Sequence, residues 1–294
     1  MRAALLVTGA LAAMAATSSA AGGPAAIRPD SYGQHLIQVA IAGQKDVLVM
    51  VMHVTPPGGN ENVIVASNIG RLGKPADEDD RQVLDTGKPK LSVNKEGDRF
   101  EVLEPLKDVG GEAIGVLGVV FRYRQGDDQQ ARRAQAEAIG DGLARRISHA
   151  GNLLDPWPYD PRFGDDTYAQ QLADKTLAAH PEVIILALHA TPPGSATDVI
   201  LGSNIGRIGK KADEDDLRVI ETGAINKEVN ETGKRFEAEV PLNDRQGKRI
   251  GALGVVFNYR PGDDKEALTT GALKIRDEIA AEIPSSAALA EKAR

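Results

Sequence analysis

The chain has 294 residues, 35 basic and 42 acidic side chains, a net charge of −7 and no cysteine. About half of it is apolar once glycine is counted, the composition of a globular protein and not of a disordered or collagenous one. The acidic balance offers no broad basic surface for a phosphate backbone, so nucleic acid is not an expected partner, and the missing cysteine excludes disulfides, thiolate zinc sites, iron–sulfur clusters, c-type haem attachment and a Cys nucleophile.

The chain opens with Met1-Arg2, an apolar stretch from Ala3 to Ala16, and then Thr17, Ser18, Ser19 and Ala20. A short basic start, an apolar middle and small residues at the end predict a signal peptide over residues 1–20, cleaved between Ala20 and Ala21. At 1.5 Å per residue the apolar stretch spans only about 21 Å, short of a hydrocarbon core about 30 Å thick. The expected location is therefore periplasmic or secreted.

A length of 294 residues at roughly 100–200 per domain predicts about two domains, and an internal repeat defines them. Shifting the sequence by 136 residues aligns Asp30–Ile147 with Asp166–Ile283 without a gap, and 44 of the 76 positions between His53–Asp128 and His189–Asp264 are identical. A period this long makes each copy a whole domain. The expected organisation is an N-terminal segment over 21–29, a first domain over 30–149, a Pro-rich linker over 150–165, a second domain over 166–284 and a tail over 285–294. Trp157, the single tryptophan, lies in the linker and is expected to pack in the seam between domains.

Within the second copy, Asp166 is expected to cap a helix reaching residue 180. Val183–Leu188 is a short apolar run rich in β-branched residues, ended by Pro192-Pro193-Gly194, which predicts a buried strand and a turn. Val199–Leu201 returns as its hairpin partner. Asp213–Ile220 reads as a short helix, with Asp213 as cap, acidic residues at the positive end of its dipole and Gly223 as stop. Arg235–Leu242 alternates apolar and charged residues, a half-exposed strand that sets Arg99 and Arg235 on the solvated face. Ile250–Tyr259 is apolar throughout, a strand buried on both faces, and an amphipathic helix begins at Asp263. Helix, two strands, helix, about three strands and helix make an α+β domain, an antiparallel sheet flanked by helices.

This order resembles the Cache family, the PAS-like extracellular sensor domains. The resemblance rests on the strand pair followed by Ser203-Asn204-Ile205-Gly206-Arg207-Ile208-Gly209-Lys210, the Asp213 helix ending at Thr222-Gly223, then Val240-Pro241-Leu242 and Ile250-Gly251-Ala252-Leu253-Gly254-Val255-Val256-Phe257. It covers essentially each whole repeat. It implies a small-molecule-binding module for carboxylates, amino acids or similar metabolites. Family members commonly sit on kinases, cyclases or chemoreceptors; no such output region follows here, so a membrane-bound signalling partner is implied, and a homodimer is open.

His53 and His189 are the only His pair shared by both copies, each at the end of a strand before Thr-Pro-Pro-Gly. They suit either a polar group at a pocket mouth or a ring that fixes the hairpin. Arg71 and Arg207, with Lys74 and Lys210, enter the middle helix and suit either an anionic ligand or ion pairing with the acidic run that follows. Ser67-Asn68 and Ser203-Asn204 suit hydroxyl and amide contacts to a ligand or the closing of a turn. The candidate ligand-binding residues are thus His53, Ser67, Asn68, Arg71, His189, Ser203, Asn204 and Arg207. The Asp-Glu-Asp-Asp run lacks the alternation and central Gly of a calcium loop and reads as helix capping. Glu237 and Glu239 do not repeat cleanly, because Leu103 stands opposite Glu239. No nucleophile elbow, P-loop, dinucleotide fingerprint or zincin helix occurs, so neither an enzyme nor a cofactor is expected. The alternatives are a duplicated interaction module and a His-centred metal-binding protein.

Overall fold

The computed structural model describes residues 25–293; the proposed signal peptide lies outside them. In the first half, α1 (Tyr32–Ala42) precedes β1 (Val47–Val54) and β2 (Val63–Ser67). Next come α2 (Glu78–Thr86), β3 (Lys90–Val93), β4 (Arg99–Lys107), β5 (Ala113–Arg122) and α3 (Gln129–Ala144). The second half repeats this with α4 (Tyr168–Ala179), β6 (Val183–Ala190), β7 (Val199–Ser203), α5 (Glu214–Thr222), β8 (Asn226–Val229), β9 (Arg235–Asn243), β10 (Arg249–Asn258) and α6 (Lys265–Glu282), then a short α7 (Ser286–Leu289). A 3-10 helix, Ala150–Leu154, joins the halves. Each half is an antiparallel five-stranded sheet, ordered β2-β1-β5-β4-β3 and β7-β6-β10-β9-β8. The expected α+β class and its duplication are what the molecule has.

Local chemistry sets these elements. Asp77 and Asp213 cap α2 and α5 through matching capping boxes, closed by Asp80 and Asp216 from the third helical position, and Gly87 and Gly223 end the helices in the left-handed region. The acidic run is therefore capping chemistry. The second domain's first helix is capped by Thr167, not Asp166: the Thr167 hydroxyl accepts from Gln170 N and donates to Leu201 O, tying the helix to β7, while Asp166 pairs with Lys292.

One face of each sheet carries the main core. Met50, Met52, Phe100, Val102, Leu117 and Phe121 pack beneath α1 and α3, and Leu186, Leu188, Phe236, Val240, Leu253 and Phe257 beneath α4 and α6. The opposite face is covered by α2 or α5 over only part of its width. In the second domain the remainder is covered by the end of the first. Leu153 and Leu154 of the connecting 3-10 helix are buried in the first core, and Trp157 stacks on His35 at 4.3 Å and tilts against Tyr32 at 5.3 Å. Among the described residues no helix is long and apolar enough to cross a membrane.

Gly206 locks this seam. Its φ is +68°, and a Cβ there would lie 2.5 Å from the Tyr32 ring of the first domain, whereas a Cβ on its repeat counterpart Gly70 (φ +74°) meets open space. Gly70→Ala carries only the left-handed penalty, about 1 kcal/mol, and Gly206→Ala adds displacement of a buried aromatic, for about 3 kcal/mol in total. Denaturant unfolding of the two variants checks the difference; equal losses contradict the seam.

Candidate functional site

The uncovered half of the second sheet and the capping end of the first domain enclose a cavity of about 510 Å³. Its apolar floor is Ile185, Ile200, Ile205 and Val256, and the first domain contributes Asp108, Gly110, Glu112, Ser148 and His149. That volume suits a small organic molecule.

Charged side chains ring the floor. Arg235 donates from Nη2 to Asp108 Oδ2 at 2.6 Å and from Nη1 to Ser148 O at 2.8 Å, binding the two domains together. The expectation of a solvated arginine holds for exposed Arg99 but fails for Arg235, because the first domain covers that face in the second copy only. Lys234 reaches Glu112 at 2.7 Å across the same seam. Arg207 Nε lies 3.3 Å from Asp155 Oδ2, and its Nη2 lies 3.3 Å from His149 Nε2. Burial, then the Arg207 charge, holds His149 below its ordinary value. Arg71 and Arg207 both have φ +64°, a left-handed conformation that is uncommon for a side-chain-bearing residue.

Glu237 lies on the cavity wall, where a Cβ on Gly254 would come within 3.0 Å of its Oε1. Burial, reinforced by Asp216, Glu228 and Asp213, pushes its carboxyl up to about 8, with Arg207 acting in the opposite sense. Deeper under α5, burial and the adjacent Asp216 push Glu239 well up, and its Oε1 has no hydrogen-bond partner. Glu237 thus holds a proton at neutral pH.

Of the eight sequence-derived candidates, Arg207 lines this cavity. The Asn204 amide accepts from Leu186 N and donates to Ile184 O and to Arg145 O of the first domain; Asn68 accepts from Met50 N and donates to Leu48 O. Ser67 and Ser203 accept from the backbone N–H of Ile69 and Ile205, turning the chain after the strand. His53 and His189 each follow a β-bulge, which turns the ring under the middle helix. Their Nδ1 atoms lie 3.1 Å from Asp80 and 3.3 Å from Asp216, off the direction of a hydrogen bond. Burial lowers the His189 pKa and keeps the ring neutral. Arg71 is exposed, and the acidic run pairs elsewhere, Asp79 with Lys90. Among the described residues no group of three or more His, Asp or Glu is placed to hold a metal ion.

Sequence reasoning missed Arg235, Ser148 and His149 as parts of a site and weighed Glu237 only as half of an acid/base pair. A signal for Glu237 was present: a carboxylate on the charged face of this strand that recurs as Glu101.

No family model and no curated protein matches this chain. Among solved structures it is similar to the A. aeolicus nlh2 GAF domain, at 18% identity over 39% of this chain and 83% of that one, with a TM-score of 0.33. It is also similar to PelD from Pseudomonas aeruginosa PAO1, at 14% identity over 89% of this chain and 80% of that one, with a TM-score of 0.27. A third is an RNA-binding light-oxygen-voltage receptor, at 15% identity over 78% and 98%, with a TM-score of 0.20. The class is defined by the molecule's own strand order and internal repeat: a duplicated PAS/GAF-like pair of α+β domains.

Proposed function

We propose that the chain is an exported, Cache-like sensor protein that binds a small aliphatic amino acid in the cavity between its domains and reports it to a membrane-bound partner. The carrying observation is that the Arg207 guanidinium and the protonated Glu237 carboxyl, which has no ion-pair partner among the described residues, line one apolar-floored cavity. An α-ammonium group favours the Glu237 carboxylate and an α-carboxylate favours Arg207, while an aliphatic side chain covers Ile185, Ile200, Ile205 and Val256. Because both domains line the cavity, a bound ligand fixes their relative position, which is a signal that a partner can read. The first copy, with Arg71 and Glu101 at the equivalent positions, has the same chemistry on an open face.

The test is a thermal-shift screen of the purified chain against aliphatic amino acids, the matching amines, the matching carboxylic acids and divalent metals. A ligand at 100 times its dissociation constant adds about 2.7 kcal/mol to the native state. Amino acids are expected to raise the midpoint more than either half-molecule, with the shift lost in Arg207→Ala and in Glu237→Gln. A shift from metals alone, or from no member of the panel, contradicts the reading.

A further inference from the structure

We infer that this chain assembles head to tail with further copies of itself, the end of the second domain of one copy capping the open sheet face of the first domain of the next. The inference is independent of whether the cavity takes a ligand.

Within the chain, the first domain caps the second through a defined set of groups, and the repeat places counterparts of most of them on free surfaces. Ile205 is 6% exposed beneath the cap, whereas its counterpart Ile69 is 42% exposed. Gly70 and Arg71 are likewise exposed where Gly206 is buried and Arg207 half-buried. The sheet face beside them, with Val49, Val51 and Val120, has no cap among the described residues.

The capping surface is also duplicated, already in its working shape. Asp108 accepts from Gly110 N and Glu112 N, and Asp244 accepts from Gln246 N and Lys248 N. Val109 N donates to Ile147 O at 2.8 Å, and Arg245 N donates to Ile283 O at 2.9 Å. The Tyr32 hydroxyl donates to Arg146 O, as the Tyr168 hydroxyl does to Glu282 O. The second of each pair lies at the end of the second domain, on which no other domain packs among the described residues.

The charges of the two free surfaces match. The in-chain pair Arg235–Asp108 becomes Arg99 of one copy against Asp244 of another, and Arg207–Asp155 becomes Arg71 against Glu291. Lys234–Glu112 becomes Asp98 against Lys248, with both signs reversed and the attraction kept. Among the described residues, Arg71, Arg99, Lys248 and Glu291 form no ion pair. A two-fold relation between the domains would bring the second domain's end onto the first domain's face within one chain. That face is open, so the contact is heterologous and propagates into a ring or a filament. The next copy then completes, over Arg71 and Glu101, a second cavity like that over Arg207 and Glu237.

The contact between copies is weaker than the one within a chain, because Arg245 replaces Val109 and Ala288 replaces Asn152. A short tether gives the in-chain contact an effective concentration of ~1 mM, so the corresponding contact between separate copies approaches the in-chain occupancy only near that concentration. Sedimentation velocity from ~10 µM to ~1 mM reads it directly. The expected result is growth past the dimer with rising concentration. Arg99→Glu, on an exposed side chain, weakens it about tenfold and leaves the in-chain seam intact. Lys248→Glu also weakens it, and adding Asp98→Lys to that variant restores it, an outcome that a folding defect cannot produce. A monomer across the whole range, a species that stops at a dimer, or association unchanged by Arg99→Glu overturns the proposal.

Discussion

Replacing Arg235 with Ala is expected to lower stability by about 3 kcal/mol and to separate the unfolding of the two domains. The guanidinium and the Asp108 carboxylate are 17% and 6% exposed, and Arg235 also satisfies the carbonyl of Ser148. Removing one partner of a buried pair leaves the other charge desolvated and unmatched, which costs more than the pair itself contributes. Two backbone N–H groups still reach Asp108 in the variant, which keeps the loss at the lower end of the usual range. The counterpart Arg99→Ala, on an open surface, is expected to change stability by less than about 0.5 kcal/mol at low protein concentration. Denaturant unfolding followed by far-UV circular dichroism and by Trp157 fluorescence distinguishes the two. Coincident transitions with no loss in Arg235→Ala would show that the domains are held together by other contacts.

The second large effect is a gain. Glu104 is buried on the core side of β4 under α3, where a Cβ on Gly140 would lie 2.5 Å from its Oε1, an atom with no hydrogen-bond partner. Burial, with Glu137 and Asp141 on α3 adding to it against Lys107 and Arg133, pushes its carboxyl from the ordinary 4.5 up to about 7. The folded chain therefore keeps this proton over a pH range where the unfolded chain has lost it. Stability falls as the pH rises from about 4.5 to about 7 and levels off above, where the charge is buried. The second domain has Val240 at the same register position, fully buried. Glu104→Val, nearly equal in volume, is expected to raise stability by roughly 2–3 kcal/mol at pH 8, with little gain at pH 4.5, and to flatten the pH profile. Glu237 and Glu239 add slope in the same direction, so some pH dependence persists in the variant. A loss of stability at pH 8 would mean that Glu104 has a partner when charged.

Elements governed by local chemistry could be read from the sequence. Asp213 with Gly223, and Asp77 with Gly87, carry their own helix signals within a few residues, and the apolar run from Val183 stands out by composition alone. The first helix cap slipped by one residue, because Thr167 has a tertiary acceptor in Leu201 O that no local pattern reveals. The site was less readable, since it depends on which sheet face another domain covers. Arg99 and Arg235 sit in the same Gly-x-Arg-Phe-Glu pattern, yet one is solvated and the other seals the seam. That shared pattern does not carry the difference; it comes from which copy has a domain packed on its sheet face. Arg207 stood out as a repeated cation, while its role at the cavity depends on Asp155 and His149, which lie more than fifty residues away in sequence.

The central claim is that a ligand's ammonium group meets Glu237 between the domains. Calorimetric titration of the strongest amino-acid hit at pH 7, in phosphate and in Tris, tests it by counting protons. Glu237 starts protonated, with its carboxyl near 8, so binding is predicted to release close to one proton per ligand. The observed heat then differs between the buffers by that proton number times the difference in their ionisation enthalpies, and the difference disappears in Glu237→Gln along with most of the affinity. Equal heats in the two buffers, with Glu237→Gln binding as tightly as the wild-type chain, would contradict the account.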